Sequence, residues 1–241
     1  MNVALIFAGG AGIRMNTKAK PKQFLQLHGK EIIIYTLEVF ENHPDIDKIL
    51  VVCINDWIDY LNKLIQKYDL SKVVSVISGG KNTQESQYKG LIEINKWSET
   101  DEKTIVLIHD GVRPLVDYET ISKNIDSVKK YGSAITVTPA IETIIYVDGK
   151  EYVNEVIDRK KCKMAKAPQS FFVKNILETH EKAIQEEKLD FIDAACLMQN
   201  YGYKLHTVDG KMENIKITTP MDFYLFRAII EAKENSQIWG I

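Results

Sequence analysis

The feature that most constrains the fold of this chain is the alternation of short apolar runs with longer amphipathic stretches. Amphipathic stretches with helical periodicity cover residues 32–41, 57–68, 83–94 and 118–131. Strands that alternate with helices favour a parallel sheet covered by helices on both faces, so we predict an α/β domain. The apolar runs have the length of buried strands and cover residues 3–7, 49–54, 73–77, 105–108 and 134–137.

The alternation ends near residue 138, where a hairpin is predicted. Residues 143–147 and 151–157 suit strands, and Asp148 and Gly149 between them suit a turn. A hairpin inserted in an α/β domain projects from it, and a projecting arm commonly contacts a second subunit. Beyond it we predict helices over 171–186, 191–201 and 221–234, the last with Pro220 as its first residue, and a strand over 204–208.

Charge and cysteine content exclude several classes of protein. A formal net charge of −2 argues against a broad basic surface for nucleic acid or an anionic membrane, so a phosphate ligand needs a local site. The three cysteines have no metal-ligand spacing, and a disulfide framework is not expected in a chain of this length, so we expect a cytoplasmic protein. No apolar stretch approaches the roughly 18 residues of a membrane span, and the N-terminus is predicted to be a strand and not a signal peptide.

A glycine-rich loop, Ala8-Gly9-Gly10-Ala11-Gly12-Ile13-Arg14, directly follows the first predicted strand. Glycines let backbone N–H groups approach phosphate oxygens, and Arg14 can donate a pair of hydrogen bonds to phosphate. The loop contains neither G-x-G-x-x-G nor G-K-[ST], which excludes the dinucleotide and Walker A fingerprints. Taken alone, it fits a phosphate loop and a ligand-free turn equally well.

Two further segments carry charges suited to a triphosphate. Pro21 stiffens the segment that presents Lys22, a lysine able to neutralise charge that develops on phosphate, although most lysines are simply solvated. Asp110 and Arg113 follow the strand predicted at 105–108, at the carboxyl end where α/β proteins bind ligands. Asp110 suits Mg²⁺ or another divalent cation and Arg113 suits a second phosphate, but the two side chains would also pair with each other and close a turn.

Weaker signals come from single residues elsewhere. Ser86, after Gly79 and Gly80, suits contact with a base or ribose, or only the start of a helix. Lys216 precedes the last helix, which Thr218 or Thr219 would cap. Asp193 is interpreted as a helix N-cap, and His109 as a structural histidine.

Taken in order, these segments resemble a family of cytidylyltransferases that includes 2-C-methylerythritol 4-phosphate cytidylyltransferase and ribitol-5-phosphate cytidylyltransferase. The resemblance implies a single Rossmann-like α/β domain with a mixed, mostly parallel sheet, over residues 1–234. It also implies a β-arm at about 139–165 that exchanges contacts across a homodimer, and it leaves 235–241 as a tail. The matching segments are AGGAGIRM (8–15), PKQFL (21–25), Gly79 to Ser86, HDGVRP (109–114), APQSF (167–171) and NIKITTPMD (214–222).

The resemblance implies a reaction in which the phosphate of an alcohol phosphate attacks the α-phosphorus of CTP and releases pyrophosphate. Mg²⁺ or another divalent cation would bridge the triphosphate, with Asp110 as its protein ligand. The implied catalytic residues are Arg14, Lys22 and Lys216. The implied nucleotide-binding residues are Ala8, Gly9, Gly10, Ala11, Gly12, Gly80, Lys81, Ser86 and Gly111, and the implied acceptor-binding residues are Asp110, Arg113, Thr143 and, across the dimer, Arg159.

Departures from the family pattern fall mainly on the acceptor side. The methylerythritol-phosphate enzymes have Thr where this chain has Ala167, and a second acceptor-side Thr would fall at Ile192. An acidic residue and an Arg usual in the Gly-Gly segment are replaced by Lys81 and Thr83. These differences favour another polyol or sugar phosphate, with ribitol 5-phosphate the first choice, although ribitol-type enzymes also often carry Thr before the Pro.

Three hypotheses therefore stand at the level of sequence. The first is a cytidylyltransferase for a polyol phosphate of a capsule or wall polymer. The second is the isoprenoid enzyme with an unusual acceptor pocket. The third is a nucleotide-binding regulatory module without turnover, against which the retained charges of Arg14, Lys22, Asp110 and Lys216 argue.

Overall fold

The computed structural model describes residues 1–9, 20–97, 99–149 and 151–239 of the chain. The central element is a sheet of seven strands, with two small hairpins outside it. The small hairpins pair β2 (Gln26–Leu27) with β3 (Lys30–Glu31) and β8 (Ile144–Val147) with β9 (Val153–Ile157). The central strands are β1 (Asn2–Ala8), β4 (Lys48–Cys53), β5 (Val73–Ser78), β6 (Ile105–Asp110), β7 (Ser133–Pro139), β10 (Lys163–Phe172) and β11 (Thr207–Asp209).

The strand order is β11-β7-β10-β6-β1-β4-β5. The pairs of β1 with β4, β1 with β6, β4 with β5 and β7 with β11 are parallel, and β10 is antiparallel to both of its neighbours. The predicted mixed, mostly parallel sheet is confirmed. Within the described residues, seven α-helices accompany it: α1 (Ile32–Glu41), α2 (Ile58–Lys67), α3 (Thr83–Asn95), α4 (Tyr118–Tyr131), α5 (Val173–Gln185), α6 (Ala194–Asn200) and α7 (Pro220–Trp239).

Successive residues of β1 supply the cores on the two faces of the sheet. Ala4 and Ile6 belong to a buried cluster that includes Leu37 of α1. Val3 and Leu5 belong to a second buried cluster that includes Leu91 of α3. The alternation of side chains along a strand thus explains why the run at 3–7 is apolar at every position: the strand is buried on both faces.

Helix α4 matches its predicted bounds, and side chains cap the starts of α4, α6 and α7. Helix α4 begins after Asp117, whose carboxylate accepts from Thr120 N, and ends at Gly132, whose φ is +81°. Asp193 caps α6 by accepting from Cys196 N at 2.8 Å, as expected. Thr219 caps α7, where its hydroxyl accepts from Asp222 N at 3.3 Å and the Asp222 carboxylate accepts in return from Thr219 N at 2.7 Å.

The predicted helix over 171–186 is wrong at its start, because Phe171 and Phe172 end β10. Phe171 is fully buried and pairs with Val106 of β6 and Ser133 of β7, so the sheet contacts override the local helical periodicity. The helix predicted over 191–201 begins at Ala194, and the strand predicted over 204–208 forms at Thr207–Asp209. The last helix continues through Trp239, into the segment left as a tail.

The predicted hairpin forms as β8 and β9, and its outer surface is apolar. Tyr146, Tyr152, Val153 and Val156 are each more than half exposed, at 57–72% of their full accessible area. Solvent-facing apolar side chains grouped on one projecting arm are typical of a surface that another molecule covers. Among the described residues, none of the helices combines the length and apolar character needed to cross a bilayer.

We expect His180 to make the protein less stable in weak acid. His180 of α5 is fully buried beside Tyr88, and within the described part of the chain neither of its ring nitrogens has a hydrogen-bond partner. Burial lowers the pKa of His180 from 6.5 to about 4. Below pH 6.5, His180 therefore binds a proton in the unfolded chain but stays neutral in the folded chain. This difference lowers the free energy of unfolding as the pH falls from 6.5 to about 4.

The measurement is urea unfolding at several pH values for the unchanged protein and for His180→Leu. Over this pH interval, the unchanged protein should lose more stability than the variant. The difference should reach about 3 kcal/mol, at about 1.4 kcal/mol for each unit of pKa shift. Equal losses in the two proteins would show that His180 is not the group responsible.

Candidate nucleotide and acceptor site

A cavity of about 760 Å³ lies at the carboxyl ends of β1, β4, β5 and β6. Because these four strands are parallel, the loops that follow them meet at one edge of the sheet. The predicted site residues that the structure places around this single cavity are Ala8, Gly9, Lys22, Gly80, Lys81, Ser86, Asp110, Arg113 and Lys216.

The other predicted residues are distributed differently. Gly111 supports the cavity from behind: its N–H donates to Phe7 O at 2.8 Å and its carbonyl accepts from the Thr36 hydroxyl at 3.0 Å. Thr143 and Arg159 are exposed, next to β8 and β9, and do not line the cavity of this chain; Arg159 donates to Ile141 O at 2.8 Å. Gly10, Ala11, Gly12 and Arg14 lie outside the described residues.

The electrostatic centre of the cavity is Asp110, at the end of β6. One carboxylate oxygen pairs with Arg113 Nε at 2.8 Å, and the other pairs with Lys216 Nζ at 2.6 Å. Burial alone raises the pKa of Asp110, but attraction from Lys216 and Arg113 outweighs it and brings the pKa down to about 2. The carboxylate is thus ionised at neutral pH and binds two cations from different parts of the chain.

The backbone around Asp110 explains how Lys216 reaches it. Arg113 N donates to Asp110 O at 3.0 Å and closes the turn after β6, so the two residues also make the local pair that the sequence left open as an alternative. Ile217 N donates to Val112 O at 2.9 Å and aligns the segment before α7 with this turn. Ile217 is fully buried in a small cluster with Phe226 of α7, so the helix and its preceding lysine are fixed together.

Lys22 is positioned by packing of the short 3-10 helix Lys22–Phe24. Phe24 stacks on Trp57 with ring centroids 4.8 Å apart, and Gln23 Nε2 donates to Ala8 O, next to the glycine-rich loop. Lys22 is only 9% exposed although it is a lysine. The two buried residues that follow Lys22 therefore hold it at the cavity wall, and Pro21 before it stiffens the segment.

The loop between β5 and α3 contributes glycines and a hydroxyl. Ser86 accepts from Gly80 N at 2.9 Å and donates to Asn82 O at 2.8 Å, so its hydroxyl holds the loop at the start of α3. Lys81 N is bound by the Glu85 carboxylate at 2.8 Å. These bonds give Ser86 the helix-start role that the sequence allowed, at a position that also lines the cavity.

His109, just before Asp110, is structural, as predicted. It is buried against Phe40, and its Nε2 lies 3.1 Å from Arg113 O. Burial lowers the pKa of His109 to about 4, so the ring is neutral and adds no charge to the site at neutral pH.

Comparison with known proteins agrees with this arrangement. Residues 2–232 match the family model described as IspD: 2-C-methyl-D-erythritol 4-phosphate cytidylyltransferase. The chain belongs to this cytidylyltransferase family. Membership makes the protein a CTP-dependent nucleotidyltransferase whose substrates are CTP and a sugar or polyol phosphate.

Individual relatives cover 95% or more of the chain. A ribitol-5-phosphate cytidylyltransferase of Vibrio parahaemolyticus is 52% identical over 100% of both chains. A 2-C-methyl-D-erythritol 4-phosphate cytidylyltransferase of Clostridium botulinum is 36% identical over 95% of this chain and 97% of its own. The crystal structure of 4-diphosphocytidyl-2C-methyl-D-erythritol synthase from Anaerococcus prevotii superposes with a TM-score of 0.82 at 28% identity, over 95% of this chain and 96% of that one.

Sequence reasoning missed several polar residues at the cavity of this cytidylyltransferase, chiefly Lys166 and Gln169 of β10. Gln169 Nε2 donates to the Asp193 carboxylate at 2.9 Å, and its Oε1 accepts from Ala195 N at 2.9 Å, so it joins β10 to the start of α6. These residues were missed because β10 itself was not predicted. The one signal for this strand was the family resemblance, which includes the segment APQSF at residues 167–171.

We expect Gly111→Ala to damage the site through the backbone. A Cβ at position 111 would lie 2.9 Å from Phe7 O, a backbone atom of β1 that cannot rotate away. The hydrogen bond between Gly111 N and Phe7 O would lengthen and move Asp110 and Arg113 with it. The cost is about 1–3 kcal/mol of stability, typical of overpacking, with a larger proportional loss of turnover.

Gly149→Ala is the matched control, because a Cβ there meets nothing within 4 Å. Thermal unfolding and pyrophosphate release should both change in Gly111→Ala, and the melting temperature should not change in Gly149→Ala. A Gly111→Ala protein with unchanged stability and unchanged turnover would contradict the tight packing described.

Proposed function

We propose that the protein transfers the cytidylyl group of CTP to D-ribitol 5-phosphate, giving CDP-ribitol and pyrophosphate. The observation that carries the choice of acceptor is the 52% identity, over the full length, with a relative named ribitol-5-phosphate cytidylyltransferase. The relative named for methylerythritol phosphate is more distant, at 36%. A role in cell-wall or capsule synthesis, in the cytoplasm, follows from this acceptor.

The reaction needs positioned charge more than covalent chemistry. An oxygen of the acceptor phosphate attacks the α-phosphorus of CTP, a new P–O bond forms, and the bond to pyrophosphate breaks on the opposite side. Lys22 and Lys216, with Arg14, neutralise the charge that grows on the α-phosphate and on the leaving pyrophosphate. Both lysines line the cavity, which supports these roles.

The site offers a divalent cation the carboxylate of Asp110. Asp110 offers one carboxylate at the cavity, and a carboxylate has more lone pairs than its two ion pairs use. The described residues contain no group of three or more His, Cys, Asp or Glu that would hold a metal ion by themselves. This donor set suits Mg²⁺, which takes one or two carboxylates together with substrate phosphates. When bound, the cation would supply charge neutralisation on the triphosphate.

We also propose that the protein acts as a homodimer through the β8–β9 arm. The exposed apolar side chains of the arm support this, since water is a poor environment for them. In a dimer, Arg159 and Thr143 beside the arm would reach the cavity of the partner subunit and contact the acceptor there. The residues that we propose hold the nucleotide are Ala8, Gly9, Gly80, Lys81 and Ser86, together with Gly10, Ala11 and Gly12 of the glycine-rich loop. Gly111 supports this wall from behind.

The second candidate is the isoprenoid reaction with 2-C-methylerythritol 4-phosphate as acceptor. The family model and the 36% identical relative carry that name, which favours it over any unrelated acceptor. Against it stands Ile192, which has no hydroxyl at a position where the resemblance expects Thr. Ala167 does not separate the two acceptors, because ribitol-type enzymes also often carry Thr at that position. The regulatory module without turnover is the third candidate, and the same assay tests all three.

The experiment is pyrophosphate release from CTP and Mg²⁺ with D-ribitol 5-phosphate, 2-C-methylerythritol 4-phosphate, or no acceptor. We expect kcat/KM with ribitol 5-phosphate to exceed that with methylerythritol phosphate by at least about a hundredfold, the discrimination that a site built around one substrate's hydroxyls reaches. Turnover with methylerythritol phosphate alone would select the isoprenoid enzyme. Tight CTP binding without turnover on any acceptor would select the binding module.

A further inference from the structure

Lys166 is a cation at the cavity wall whose position no predicted role explains. Its Nζ donates to two backbone carbonyls, Met212 O at 3.0 Å and Asn214 O at 3.2 Å, and neither contact is with a carboxylate. The pKa of the Lys166 ammonium is lowered, mainly by burial and then by repulsion from Arg113. Attraction from Glu213 raises this pKa by a smaller amount. Lys166 differs in this from Lys216, whose charge is compensated by Asp110.

Lys166 and Arg113 converge on one atom. Arg113 Nη1 donates to Asn214 O at 3.0 Å, and Lys166 Nζ donates to the same oxygen at 3.2 Å. Two donors bound to one oxygen lie within about 6 Å of each other, a separation that one phosphate group with several oxygens can bridge. The charged residues that line this part of the wall carry three positive and two negative charges, so its net charge is positive and attracts an anion; they are Arg113, Lys166, Lys216, Asp110 and Asp193.

The sheet places Lys166 on the side of the cavity away from the glycine-rich loop. Strand β6 lies between β1 and β10, so Asp110 and Arg113 separate a half formed by the loops after β1 and β5 from a half formed by β10. Gly9, Lys22 and Ser86 lie in the first half, and Lys166 lies in the second. Lys166 therefore lies on the opposite side of Asp110 and Arg113 from Gly9, Lys22 and Ser86.

The backbone of β10 is irregular where Lys166 lies. The pairing of β10 with β7 shifts register between Ala165 and Gln169, and a bulge of this kind re-aims the side chains within it. Asn214 fixes the irregular segment, because its Nδ2 donates to Ala167 O at 2.7 Å while its own carbonyl accepts from Lys166 and Arg113. Asn214 is 1% exposed, so it acts as an internal brace for both cations.

We propose that Lys166 and Arg113 together bind the phosphate group of the acceptor, and that Asn214 is the positioning residue that holds them. Lys166 thereby supplies the charge that selects a phosphorylated polyol, in a half of the cavity where Ala167 and Ile192 offer no hydroxyl. This inference rests on the proposed function for the identity of the acceptor, and it adds a residue and a physical basis for recognition.

The test compares Lys166→Met with Lys166→Arg, and uses Lys163→Met as the matched control. Lys163 lies on the same strand, is exposed, pairs with Asp209 at 2.6 Å and does not line the cavity. In Lys166→Met, the KM for ribitol 5-phosphate should rise at least about tenfold, the loss expected for one charge-assisted hydrogen bond to phosphate. The dissociation constant for CTP alone should change less than about twofold, and Lys166→Arg should restore most of the affinity for the acceptor.

Three results would overturn the proposal. One is an acceptor KM in Lys166→Met that equals that of the Lys163→Met control. Another is an equal loss of affinity for CTP and for the acceptor, which would place Lys166 on the triphosphate. The last is a failure of Lys166→Arg to recover any acceptor affinity while its melting temperature is unchanged.

The outcome is separable from failure of the proposed function. If the unchanged protein turns over a different polyol or sugar phosphate, the same variants are measured with that acceptor. If it turns over none, inorganic phosphate is titrated into the CTP-saturated protein and followed by amide NMR shifts. Loss of the phosphate-dependent shifts in Lys166→Met, with retention in Lys163→Met, would support the proposal, and retention in both would overturn it.

Discussion

The carboxylate of Asp110, at the end of a central strand, holds two cations of the site in place. It lies at the end of β6, between β1 and β10, and pairs with a cation from its own loop and a cation from the segment before α7. Burying one charge against two others is weak evidence for added stability, because desolvation offsets much of the attraction. The two ion pairs instead fix positions. They hold Arg113 and Lys216, which lie 103 residues apart in sequence, at the same wall of the cavity.

The order of the strands divides the chemistry of this cavity. The loops after β1 and β5 bring glycine backbone, Lys22 and Ser86 to one side of Asp110. The antiparallel strand β10 brings Lys166 and Gln169 to the other. An in-line displacement requires the attacking group and the leaving group on opposite sides of the reacting phosphorus. A cavity with a nucleotide half and an acceptor half, and the charge of Asp110 between them, suits that requirement.

Residues with strong local signals were predictable from the sequence. Asp117 and Gly132 mark the ends of α4, and the apolar run at 3–7 marks the central strand β1. Lys22, Asp110 and Lys216 are individually ambiguous, and only their order along the chain, together with the family resemblance, indicated a common site. The structure brings all three to one cavity.

Strand β10 and Lys166 were not predictable, for one physical reason. The first half of β10 is exposed and contains two lysines, so it lacks the apolar alternation that marks a strand, and its pairing with β7 is decided by contacts distant in sequence. Phe171 then resembled the start of a helix, although sheet contacts on both sides bury it. Lys166 has the signature of a solvated lysine, and only the fold shows that Asn214 and Arg113 lie beside it.

The role of this cavity in cytidylyl transfer can be measured by single-turnover pyrophosphate release in Lys216→Ala, with Lys211→Ala as its control. Both lysines pair with an aspartate, Lys216 with Asp110 at the cavity and Lys211 with Asp117 away from it. If Lys216 neutralises charge on the triphosphate, Lys216→Ala should slow release at least about a hundredfold at saturating CTP, and Lys211→Ala should leave the rate unchanged. Equal rates in the two variants would contradict the assignment of this cavity as the site of cytidylyl transfer.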